Sequence, residues 1–107
     1  MAKKDHTLLN QINLIADVFN QNASPSELIA SAIQRLRRDP DMDLSEVLRM
    51  EESLLKDDVR LINEAIQEAS AYGLQIEAIT STIQAIREDP ELEISIALQY
   101  GLQDWDI

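Results

Sequence analysis

Displaced by fifty positions, the chain aligns with itself without a gap. Pro25 to Met50 (PSELIASAIQRLRRDPDMDLSEVLRM) falls on Gln75 to Tyr100 (QIEAITSTIQAIREDPELEISIALQY), with ten of 26 positions identical. The identities are Glu27/Glu77, Ile29/Ile79, Ser31/Ser81, Ile33/Ile83, Gln34/Gln84, Arg37/Arg87, Asp39/Asp89, Pro40/Pro90, Ser45/Ser95 and Leu48/Leu98. The register extends upstream, where Ile12-Asn13 meets Ile62-Asn63 and Thr7 meets Asp57. Self-similarity at a fixed period is the mark of a duplicated structural unit. The expectation is two tandem units, about residues 7–55 and 57–107, forming one domain over 1–107.

Each unit reads as three helices. The first, about Leu8 to Gln21, puts Leu8, Ile12, Ile15 and Phe19 on one stripe, and its counterpart uses Val59, Ile62, Ala65, Ile66 and Ala69. Thr7 and Asp57 stand where N-caps belong. The second helix follows Ser24-Pro25-Ser26-Glu27, which has the form of a capping box with proline at the first helical position. In the other unit Gly73 suits the left-handed residue that closes the preceding helix. Core stripes are expected at Leu28, Ile29, Ala32, Ile33 and Leu36, and at Ile76, Ile79, Ile83 and Ile86. Both second helices should stop before Asp-Pro, because proline disfavours helical geometry in its predecessor. The third helices start near Leu44 and Ile94 and carry Val47, Leu48, Leu55 and Ala97, Leu98, Leu102, Trp105. Residues 44–71 contain neither glycine nor proline, so the expected break near Lys56-Asp57 competes with one long rod. The predicted fold is an all-α six-helix bundle of two roughly 50-residue repeats related by a pseudo-twofold axis.

Composition agrees. Apolar residues form 45% of the chain but aromatics only 4%, so a core must be built from Leu, Ile, Val and Ala. Two glycines and three prolines are too few for the turns of an all-β chain. The absence of cysteine removes disulfides, thiolate metal sites and a thiol nucleophile, and fits a cytoplasmic setting. The apolar stretch after Met1-Ala2-Lys3-Lys4 is interrupted by Asn10, Gln11, Asn13 and Asp17, unlike a signal peptide, and no run is long enough for a membrane span.

Twenty acidic against nine basic residues give a formal charge of −11, which repels phosphate backbones and anionic lipid. The excess lies mainly in the second half, where eleven acids face three basic residues. A direct nucleic-acid contact is therefore not expected. The passage between second and third helices could pass for a helix-turn-helix, but its reading helix would offer Arg49 alone.

Other chemistry lacks its residues. Asp39, Asp41 and Asp43 match the first positions of a calcium loop, yet Leu44 stands where glycine is needed and Met50 where a bidentate glutamate is needed. Asp43 and Glu46 read more simply as a capping box. The only histidine, His6, precedes the first helix, so neither a di-iron bundle site nor a Ser-His-Asp triad is expected. No catalytic, cofactor or metal-ligating residue is assigned, and the chain is expected to be a non-catalytic interaction or regulatory module, as a homodimer or an adaptor. An acidic mimic of nucleic acid, inhibiting a DNA- or RNA-binding protein, is the alternative. An enzyme using carboxylates such as Asp58, Glu64 or Glu68 comes third. The candidate partner surface comprises the basic group Arg35, Arg37 and Arg38, the off-stripe apolar residues Met50, Ile96 and Tyr100, and Trp105. Leu14 and Leu61 also lie off the stripe. Arg37 and Arg87, present in both units, are expected to be structural, and Trp105 to cover the core.

Overall fold

A computed structural model describes residues 8–21, 24–49 and 56–107, without the side chain of Leu8. All its regular elements are helices: α1 (Leu8–Gln21), α2 (Pro25–Arg38), α3 (Leu44–Val47), α4 (Lys56–Ser70), α5 (Gln75–Glu88) and α6 (Ile94–Gln103). There is no strand among the described residues. Two turns follow from local chemistry. Both α2 and α5 end one residue before Asp-Pro, and Asp39 and Asp89 cap them with nearly equal dihedral angles. After α4, Gly73 adopts φ +70°, its N–H donates to Ser70 O, and the Leu74 N–H reaches back to Ala69 O at 3.0 Å. That pair of bonds is a Schellman closure, which needs a left-handed residue.

The interior is aliphatic. Ile15, Ile29, Leu36, Leu44, Val47, Ile62, Ile83 and Ile86 are fully buried. The principal packing is not between sequence neighbours throughout: α1 lies mainly against α5, while α4 lies against α2, α5 and α6. The middle helices α2 and α5 touch each other at the centre. Leu14 and Leu61, expected off the stripe, are partly buried against the core. A helix at the periphery of a crowded bundle needs a wider apolar stripe than an isolated amphipathic one.

Several local expectations differ from the structure. Ser24 and Asp43 occupy the N-cap positions, but neither side chain makes a capping bond. The Glu27 and Glu46 N–H groups bond instead to the carbonyls of Ser24 and Asp43. Asp57 lies inside the first turn of α4 rather than before it. The long rod is absent, because α3 ends at Val47 and Leu48-Arg49 form a turn. Thr7, Met50 and Leu55 lie outside the described residues. Leu28, expected in the core, is only half-buried and faces a cleft.

Helices α5 and α6 approach closely at Gly101. A Cβ there would collide with Thr82 Oγ1 and the Ala78 carbonyl, and would also lie 3.2 Å from the Thr82 amide. The Thr82 hydroxyl donates to Ala78 O at 2.9 Å, so the obstructing pair is tied in place. Glycine inside a helix is entropically costly, and here it permits α6 to sit directly on α5.

Two glycine substitutions separate these effects. Gly101→Ala should cost about 2–4 kcal/mol, because backbone must move, whereas Gly73→Ala, which strains one turn in open space, should cost about 1–2 kcal/mol. Urea titration followed by circular dichroism checks the order; equal losses would remove close α5–α6 contact as the reason for Gly101.

Candidate functional site

Two arginines expected to be structural bind the two halves across their Asp-Pro turns. Arg37 Nη1 donates to Pro90 O at 2.8 Å, and Arg87 Nη1 donates to Pro40 O at 2.6 Å. Each member of the second bond stands fifty positions from its counterpart in the first. Arg87 does more: its Nη1 also reaches Met42 O at 2.8 Å, and its Nε donates to Gln11 Oε1 at 3.0 Å. Gln11, fully buried on α1, donates in turn from Nε2 to Gln84 Oε1 at 2.8 Å. The planar guanidinium thus ties α5 to α1 and to the turn after α2, a task suited to several fixed donors. Gln34, at the position of Gln84, has a buried Nε2 without a hydrogen-bond partner. The counterpart of Gln11 is Leu61, which has no acceptor to offer.

The remaining members of the candidate surface are not brought into one site. Arg35 is half-buried and Arg38 exposed at the end of α2. Met50 lies outside the described residues. Ile96 is half-buried and Tyr100 half-exposed on α6. Trp105 follows α6, is partly covered, and donates from Nε1 to Ser81 Oγ at 3.0 Å, the geometry of a lid with its polar edge satisfied.

A cleft of about 490 Å³ lies between α1, α2 and the turn after α3. Leu14, Val18, Leu28 and Leu48 supply its apolar walls, with Asp17, Gln21, Ser45 and Arg49 beside them. A single carboxylate among the lining residues is a poor basis for general acid–base chemistry, which normally pairs groups of different protonation state. Glu64 and Glu68 are exposed on α4, away from this lining, and Asp58 is half-buried near the start of that helix. Among the described residues no group of three or more His, Asp or Glu side chains could hold a metal ion. No helix is long and apolar enough to cross a membrane among the residues described.

The outer side of α6 differs from every other helical surface described. Its sequence, ISIALQYGLQ, is the one helix of the six without a charged residue. Ser95, Gln99, Tyr100 and Gln103 are exposed and Ile96 is half-buried beside them. At about 100° per residue these five side chains occupy one arc of roughly 140°. The inner side carries Ile94, Ala97, Leu98 and Gly101. Sequence reasoning picked out Ile96 and Tyr100 as apolar but passed over their neutral polar neighbours, which lie within an uncharged run, Ile94–Gln103, matched in length by Thr7–Ala16. Compared with protein-family models, curated proteins and solved structures, the chain matches none.

The two arginines should differ in weight. Arg87→Ala removes bonds to three acceptors and should destabilise by about 2–4 kcal/mol, against about 1–2 kcal/mol for Arg37→Ala, whose described bond is single. Chemical denaturation of both variants measures the difference; a larger loss at Arg37 would contradict the network.

Proposed function

We propose that this chain is a non-catalytic protein-interaction module, built as two duplicated halves on a pseudo-twofold frame, with the charge-free face of α6 as its contact surface. The exposed Tyr100 within that face carries the proposal. An aromatic ring with a polar tip, surrounded by uncharged side chains, has the composition of interface centres, which are enriched in tyrosine and depleted of Lys, Glu and Asp. In a chain that is 27% charged, a ten-residue surface helix with no charge needs a reason, and contact with another protein supplies one.

Support for the frame comes from correspondence at an offset of fifty. The Arg-to-carbonyl bonds are reciprocal, the Asp39 and Asp89 caps agree, and α1 on α5 has its counterpart in α4 on α2. On this reading the first helices are exchanged between halves. The unpartnered Gln34 then follows from the divergence of Gln11 and Leu61.

Mimicry of nucleic acid would call for an uninterrupted file of carboxylates. The exposed file on α4, Asp57, Glu64 and Glu68, contains Arg60, whose Nη1 pairs with Glu64 at 3.1 Å. The geometry therefore favours the interaction module.

Two measurements test these statements. Tyr100→Glu should abolish co-purification of partner chains from cells that make the protein while leaving its helical circular dichroism unchanged; full retention would remove α6 as the contact surface. For the frame, Leu61→Gln supplies Gln34 with the amide that Gln84 finds in Gln11. The substitution should therefore couple to Gln34→Leu by about 1 kcal/mol or more in a double-mutant cycle. Additive effects would refute the pseudo-twofold correspondence.

A further inference from the structure

The kind of partner follows from charge and from the chemistry of the exposed side chains on α6. We propose that the α6 face is an isologous contact with a second copy of this chain, forming a weak, salt-promoted homodimer; this rests on the reading of α6 as a contact surface. Each copy carries a formal charge of −11. Apposing acid-bearing faces would set carboxylates against carboxylates, and the charge-free arc of α6 is one place where two such molecules can approach without that penalty. A basic partner would select the opposite kind of surface, one rich in acids.

The arc is also self-complementary. Ser95, Gln99 and Gln103 each present both donors and acceptors, so a side chain meeting its own copy across a twofold axis can be satisfied, which a row of carboxylates cannot. Tyr100 supplies a half-exposed ring beside Ile96 as the apolar centre. Carboxylates stand at both ends of the helix, where Glu91, Glu93, Asp104 and Asp106 are all exposed. They form the rim of the contact in both copies and repel across it. A single helix face is smaller than the roughly 1,200–2,000 Å² of a standard stable interface, which places the dimer in the weak class.

Salt gives the sign that identifies the partner. Screening shortens the reach of rim repulsion from about 30 Å at 0.01 M ionic strength to about 3 Å at 1 M, so a self-contact strengthens as salt is raised, whereas a contact with a basic protein weakens. Sedimentation equilibrium of the full chain, over a concentration series at low and high salt, should show dimerisation that tightens at least several-fold in high salt. Tyr100→Glu should weaken it tenfold or more, and so should Gln99→Glu, while Tyr72→Glu, at an exposed aromatic outside α6, should leave it unchanged. Circular dichroism on the same samples confirms that each variant is folded. A strict monomer at every concentration and salt overturns the homodimer. So does a dimer indifferent to Tyr100→Glu and Gln99→Glu, or one that dissociates as salt rises. If the chain is monomeric but Tyr100→Glu still abolishes co-purification of another protein, the self-contact fails and the interaction module stands. If neither responds, both fail.

Discussion

The bonds from Arg37 to the Pro90 carbonyl and from Arg87 to the Pro40 carbonyl are the constraint on which the arrangement of the helices depends. A proline carbonyl at a turn has no helical partner, and a buried acceptor left without one is costly. Each turn is satisfied by an arginine from the far end of the sequence. Asp-Pro therefore stops a helix and also presents an acceptor that must be met. Because Arg87 reaches Gln11 as well, the position of α1 is tied to the same guanidinium. The core could tolerate sliding of aliphatic surfaces over one another; directional bonds at the turns specify one register.

The close approach of α6 to α5 has a local cause. It depends on the absence of a side chain at Gly101 and on the small residues Ala78 and Thr82 beneath it. Fifty positions earlier the sequence has Glu51 and Leu28, both bulkier. Glu51 lies outside the described residues, but Leu28 is seen lining the cleft beside α1.

Most of the fold was legible in sequence, for physical reasons that differ from element to element. The ends of α2 and α5 were readable because proline acts on its immediate neighbour, and Gly73 because left-handed geometry is a local demand. Buried stripes such as Ile29, Ile33 and Leu36 were readable because helical periodicity places them on one side. The side-chain caps expected from Ser24 and Asp43 failed because residue type permits such a bond without compelling it. Leu28 failed because periodicity identifies the inward side and cannot tell whether a neighbour fills the space beside it. At the candidate surface, Tyr100 and Trp105 could be singled out by type, yet their opposite fates depended on Ser81 lying within reach of one indole nitrogen. Gln11 was read only as a polar interruption of the apolar stretch, and its buried bridging role was missed. A glutamine in an apolar helix looks like surface until the distant Arg87 and Gln84 are placed against it.

The packing of α1 on α5 also sets the order in which the chain can be assembled. A helix of this kind gains most of its stability from burying its apolar side, not from intrinsic propensity. The surface that covers α1 is encoded more than fifty residues later, so during synthesis α1 leaves the ribosome well before its main partner exists. Local helix pairs are the usual reason that small all-helical proteins fold quickly, and long-range pairing sacrifices part of that advantage. For this chain α1 is made well before α5 and can be secured only after it, and its uncovered aliphatic face needs protection until then.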